Sequence, residues 1–441
     1  MRRKGLGRLA VAMALVLLAG SAAAEETGKD KEDCCDDKQA QIEALEAKIE
    51  AIADEVADMK SEEAVPDQFD PDATFSGLGP AASKVYRRDK GLSIGGYGDV
   101  RFRHFTDDDD GNLDIYDALR LVLYTGYKFN DWLVFNSEVE FEHADTGSNG
   151  SVAVEFLTVD FLVEDWFNVR TGLLLVPMGF LNEYHEPPFY FGAERPEVER
   201  RIIPSTWREN GGGIFGTFDL GAGGAISYRM YGVNGFDASG FSDNGLRGGR
   251  QKGSEALAEH FAFVGRVDYE TPLPGFTFGG SVYAGNSGQN QRVSGEDLPD
   301  TPVHIYELHA QYRGYGVSAR GLWVQAFVDD AGELSRDLGK GVFDSVAKEM
   351  QGGYVEVGYN VLLYCETEMS LEPFFRYEYL DTQHEVANGF QRDESRDRDI
   401  YVMGLSFKPI PQVVLKLDYR NFDAKKRTQS DEIQASVGFV F

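Results

Sequence analysis

The chain has 441 residues, 73 acidic against 43 basic side chains for a net charge of -30, and a mean hydropathy of -0.34. So acidic a chain is a poor partner for nucleic acid, and three cysteines in this length do not make a disulfide framework. Beyond the N-terminus no run of 18 apolar residues occurs, which excludes helical membrane spans and leaves strands as the only means of crossing a bilayer.

Residues 1–24 read as a secretory signal peptide. Arg2, Arg3, Lys4 and Arg8 precede an apolar stretch from Leu9 to Ala19, and Ala22-Ala23-Ala24 offers a small-residue cleavage site. Cys34 lies ten residues beyond Ala24, so a lipoprotein anchor is not expected. Cys34 and Cys35 are adjacent and poorly placed to bridge each other; an interchain bond or two free thiols are the alternatives. Cys365 stands alone in an expected turn.

The stretch 25–63 is an acidic coiled-coil segment. Ile42, Leu45, Ile49, Ile52, Val56 and Met59 alternate at three- and four-residue spacings, an a/d seam covered by glutamates and lysines. So short a seam needs facing helices from other chains, and its mixed a and d residues fit dimers or trimers. Prolines 66, 71 and 80 with Gly77 and Gly79 mark residues 64–90 as a linker.

From 91 to 441 the sequence breaks into alternating segments with one apolar face and one charged face. Leu133, Phe135, Val139 and Phe141 oppose Asn136, Glu138, Glu140 and Glu142; Val413, Leu415, Leu417 and Tyr419 oppose Lys416, Asp418 and Arg420. Charged faces recurring on nearly every strand require a wet interior and an apolar exterior, the pattern of a transmembrane β-barrel. Sixteen strands are expected, starting near Leu92, Ile115, Leu133, Val152, Phe167, Gly213, Ala225, Phe261, Phe276, Val303, Val317, Gly353, Leu371, Ile400, Val413 and Ile433. Seven tight connections alternate with eight long ones, as sixteen antiparallel strands with both termini on one side demand. Trp132 and Trp166 flank tight turns, where interfacial aromatics belong. The closing segment Ile433–Phe441 sets Ile433, Ala435, Val437, Phe439 and Phe441 on one face and ends on an aromatic.

Residues 25–72 carry a net -13, leaving about -21 for the rest beyond the signal peptide. Acidic clusters such as 107–110 and 393–399 fall in long loops, where they keep the surface soluble or bind cations that bridge lipopolysaccharide. The third long loop, Met178 to Asn210, is the candidate constriction: it holds Arg195, Arg200, Arg201 and Arg208 with Glu194 and Glu197, stiffened by prolines and anchored by aromatics. Alternation points Arg101, Arg103, Arg120, Arg170, Arg229, Arg376 and Arg420 inward, offset by Asp99, Glu138, Glu140, Asp160, Glu372 and Glu378. Facing lipid, an arginine near the midplane would cost about 2–4 kcal/mol. The expected interior is therefore polar, with mixed charge.

Strand five with its turn (NVRTGLLLVPMGF), the loop ending IIPSTWRENGGGIFG and the terminal VGFVF resemble the phosphate-selective porin O/P family and, more loosely, dicarboxylate-type porins with an N-terminal coiled coil. The resemblance implies an outer-membrane homotrimer of sixteen-stranded barrels that passes small hydrophilic solutes past a folded-in third loop. Phosphate-selective members are said to rely on lysine-rich constrictions; this loop has no lysine between Met178 and Asn210, and phosphate is one candidate among small anions. No cofactor and no metal site are expected. The seven histidines are scattered, with no Ser-His or Asp-His spacing that would argue for an enzyme. A structural anchor, its coiled coil reaching peptidoglycan from the periplasm, is the alternative reading.

Overall fold

The computed structural model describes residues 45–53, 70–107, 112–147, 149–293, 295–426 and 429–441. The signal peptide, Cys34, Cys35 and the heptad positions Ile42, Val56 and Met59 lie outside the described residues. The chain divides into two units, 1–68 and 69–441. In the first, residues 45–53 form a helix (α1) on which Leu45, Ile49 and Ile52 are all exposed, a seam with no partner among the described residues of its own unit.

In the second unit sixteen antiparallel strands close into a barrel. They are β1 (Gly91–Phe105), β2 (Ile115–Asn130), β3 (Leu133–Glu142), β4 (Ser151–Glu164), β5 (Phe167–Leu175), β6 (Arg208–Asp219), β7 (Ala225–Asn234) and β8 (Phe261–Glu270). The second half comprises β9 (Phe276–Asn286), β10 (Pro302–Gly314), β11 (Val317–Val328), β12 (Ala347–Tyr359), β13 (Ser370–Val386), β14 (Asp397–Ile410), β15 (Val413–Ala424) and β16 (Glu432–Val440). Each strand pairs with its neighbours in sequence, and β16 closes on β1 with Tyr97 opposite Val440 and Phe105 opposite Glu432.

Alternation sets the two surfaces. Leu121, Leu157, Val267, Trp323, Val355, Leu405 and Leu417 are exposed on the outside, and so is the row Ile433, Val437, Phe439 and Phe441 of the closing strand. Asp99, Glu138, Asp160, Arg376 and Arg420 on the inside are buried. The terminal residue extends the closure: its amide donates to the Gly96 carbonyl at 2.8 Å, and its own carbonyl accepts from the Gly96 amide at 3.0 Å.

Strand starts follow the hydrophobic alternation except at β6, β12 and β14, which begin at Arg208, Ala347 and Asp397, upstream of Gly213, Gly353 and Ile400. In β6 the early residues are Arg-Glu-Asn, which pair with Leu175, Leu174 and Leu173; ladder hydrogen bonds carry the strand where side-chain alternation is silent. The sixth short connection, centred in the sequence on Cys365 to Glu368, is longer, running over 360–369, and Cys365 is exposed on it.

The stretch read as a linker contains structure. Pro80–Arg87 form a helix (α2), with proline at its first position, inside the barrel at the tight-turn end. Ala81, Ala82 and Val85 are buried against Tyr97, Val122, Tyr124 and Val134 of β1–β3. Two glycines make room for it: a Cβ on Gly95 would lie 2.8 Å from the Ala81 carbonyl oxygen, and one on Gly126 would lie 2.6 Å from the Val85 Cβ.

Candidate functional site

The chain leaves β5 at Leu175, enters the barrel and returns at Arg208. Two devices turn it inward. Asn182 brackets the neck: its Nδ2 donates to the carbonyls of Val176 (2.7 Å) and Trp207 (2.8 Å), while its Oδ1 accepts from the Trp207 amide at 2.7 Å. A one-turn helix, α3 (Val198–Arg201), then buries Val198 with Ile202 and Ile203 in an apolar cluster shared with the long-loop ends of β7 to β12.

Charged side chains pin the remainder to the inner wall. Glu194 accepts from Arg101 in a very short contact and from Arg103 Nη2 at 2.5 Å. Glu197 meets Arg201 at 3.0 Å, Arg200 at 3.3 Å and Arg420 of β15 at 3.4 Å. Glu199 accepts from the Tyr354 hydroxyl at 2.5 Å and the Leu181 amide at 2.7 Å. Burial alone would raise Glu194, but Arg101, Arg200, Arg420 and Arg103 hold it down to about 2; Glu197 is driven lower still by Arg200, Arg420 and Arg201 against the same burial. Both stay ionised at neutral pH.

The six loop residues singled out by sequence thus have different settings. Glu194, Glu197, Arg200 and Arg201 lie together, and Arg200, 41% exposed, is the most open of the four. Arg195 is buried, with its Nε and Nη2 lacking a hydrogen-bond partner. Arg208 is the first residue of β6, where its Nη1 reaches Glu155 at 2.5 Å. Glu155 is available because β4 bulges opposite Glu138 and Val139, which turns the consecutive residues Glu155 and Phe156 both inward. Sequence alternation has no signal for such a bulge.

All seven strand arginines point inward and are paired. Arg101 and Arg103 meet Glu194; Arg120 lies 3.0 Å from Asp99 and 3.6 Å from Glu140; Arg170 binds Asp160 at 2.7 Å. Arg229 lies 3.3 Å from Glu183, Arg376 meets Glu378 at 2.8 Å, and Arg420 meets Glu432 at 3.1 Å. Sequence reading passed over Arg266 and Arg320, which are also inward and pair with Asp268 (2.9 Å) and Glu356 (2.5 Å). Arg266 sits in the row Ala262, Val264, Arg266, Asp268, whose apolar start hides it. Lys416 Nζ donates to the Gly192 carbonyl at 2.9 Å and lies 3.8 Å from the Tyr190 ring centre.

The same loop, with β3 and β4, holds α2. Glu186 Oε1 accepts from the Ala81 amide at 3.2 Å, Asn136 Nδ2 donates to the Ala82 carbonyl at 2.8 Å, and the Tyr86 hydroxyl donates to Asp160 at 2.8 Å. Burial pushes Glu186 up to about 8 although the Ala82 and Ala81 amides draw it down. A carboxyl raised in the folded state binds a proton there that the unfolded chain has already lost. Stability should therefore fall as pH rises from the ordinary carboxylate range through about 8. Glu186→Gln should flatten that slope in urea titrations of the assembled barrel; an unchanged slope would assign the proton elsewhere.

A sixteen-stranded antiparallel barrel with an inward third loop and a charged interior is the porin fold. Among solved structures the chain is similar to OmpF of Salmonella typhi (13% identity, 80% of this chain and 98% of that one, TM-score 0.52). It is also similar to the anion-selective porin of Comamonas acidovorans (13% identity, 80% and 100% covered, TM-score 0.50). No protein-family model matches. The chain belongs to one family with an uncharacterized protein of Aquifex aeolicus (strain VF5), 39% identical over 394 residues and 87% of each chain.

Proposed function

We propose that the protein is an outer-membrane porin, a passive channel rather than an enzyme, that admits small hydrophilic solutes with the loop between β5 and β6 as its constriction. The observation that carries this reading is the opposition of surfaces: exposed leucine, valine and aromatic rows outside, paired arginines and carboxylates inside. Ion pairs on the lipid side would be costly, whereas a lumen hydrates what they leave free. The proposed assembly is a homotrimer in outer-membrane lipid and lipopolysaccharide, with the coiled coil in the periplasm.

Selectivity in this reading depends on Arg200 and Arg201 beside Glu194 and Glu197, a mixed-charge neck in which guanidiniums favour small anions such as phosphate or dicarboxylates. Replacing Arg200 and Arg201 by glutamate should move the reversal potential toward cation selectivity in planar bilayers under a salt gradient. An unmoved potential would place the filter elsewhere, and the absence of conductance steps from the unaltered protein would leave the anchor reading standing.

A further inference from the structure

The interior has three packed apolar clusters: the two larger lie at opposite ends and against opposite walls, and a small third sets Phe191 of the third loop against Phe374, Ile400, Val402 and Phe422 of β13–β15. At the tight-turn end, α2 fills the space against β1–β3. At the long-loop end, Val233, Val264, Ile305 and Val324 on the inner faces of β7, β8, β10 and β11 pack with Ile202 and Trp207 of the third loop and Phe236 of the fourth. Close-packed apolar side chains leave no room for a hydrated solute and give it no polar partner.

Two of the interior's polar regions lie on the complementary walls. At the long-loop end it is the Glu194, Glu197, Arg200 and Arg201 neck against Arg103 of β1 and Arg420 of β15. At the tight-turn end two cavities open away from α2. One, about 580 Å³, is lined by Arg229, Arg266 and Asp268; the other, about 210 Å³, by Arg320, Glu356 and Lys408. Both are bordered by Asp72, Gln311 and Arg313.

We infer that α2 is an internal plug and that permeation runs obliquely, from the neck beside β1 and β15 to an exit edged by Gln311 and Arg313 of β10, and not through the tight-turn part of β1–β3 that α2 fills. This route rests on the channel reading. It assigns Gln311 and Arg313, which no sequence motif singles out, as exit residues that meet every solute. The mixed charge of the exit cavities suits small solutes that carry either or both signs.

Cysteine accessibility tests the route in the complete chain with its own three cysteines changed to serine. Gln311→Cys lies on the route. Ser93→Cys lies under the plug: Ser93 is 6% exposed and sits opposite Gly126, the glycine that touches Val85. A cationic methanethiosulfonate reagent should label position 311 about an order of magnitude faster than position 93, because thiol reaction follows access, and labelling at 311 should lower conductance. Deleting 70–88 should equalise the two rates and raise conductance. Equal labelling in the complete chain, or current indifferent to labelling at 311, would overturn the inference; if the deletion does not assemble, the complete chain alone decides. Slow labelling at 93 with no current from either chain would instead overturn the channel reading, and the route with it.

Discussion

Arg420→Met should loosen the third loop from the wall at Glu197 and destabilise the barrel by about 3–5 kcal/mol, the cost of stripping one partner from a buried ion pair. Arg420 is 2% exposed and bridges two carboxylates that are equally buried, Glu197 of the loop at 3.4 Å and Glu432 of β16 at 3.1 Å. Methionine fills the volume and leaves both acids short of a cation. Glu197 retains Arg200 and Arg201, so the loss falls on the loop-to-wall link rather than on the loop's internal order. Three readouts should move together: a lower urea midpoint, larger conductance steps, and trypsin cleavage after Arg200 or Arg201 in the assembled barrel. Adding Glu197→Gln should recover part of the stability but not the loop's attachment. Wild-type conductance with a lowered midpoint would show that Arg420 is a strand-to-strand tie only.

The barrel was legible because its physics is local. Apolar rows outside and charge inside write a two-residue period into each strand, and the difference between tight turns and long loops fixes the order. Inward arginines such as Arg170 and Arg376 could be read from the same period. The third loop's composition showed that it would be ordered, since prolines 187, 188, 196 and 204 with the aromatics around them restrict the chain.

What the sequence concealed depends on partners far away along the chain. Pro80–Arg87 has no alternation, and its eight residues look like a linker between two louder patterns. Its helix is held by Glu186 and Asn136, 105 and 54 residues away from their α2 partners. The two glycines that admit it, Gly95 and Gly126, read as ordinary barrel glycines. Likewise Arg208 appeared to be a loop residue because its partner Glu155 faces inward only through a bulge. Alternation also assigns a face without saying what fills it: the expected interior is polar throughout, whereas the inward valines of β7, β8 and β11 form the floor of an apolar core.

Trp207→Ala tests that core. Trp207 is fully buried; its ring stacks on Phe236 with centroids 4.5 Å apart and lies 5.0 Å from the Tyr283 ring, so it joins the third loop, the fourth loop and β9. Its backbone amide and carbonyl remain held by Asn182, which confines the change to the lost ring. Truncation should cost about 3–5 kcal/mol, as for large aromatics in packed cores, and Trp207→Phe distinctly less. Because the ring lies at the seam between loops, its loss should also loosen the long-loop end of β7–β11 and open a second way past the neck. Single-channel records should then show noisier, larger steps and a reversal potential less sensitive to Arg200 and Arg201. A destabilised barrel with quiet, wild-type steps would mean that the apolar core supports the fold without bounding the passage.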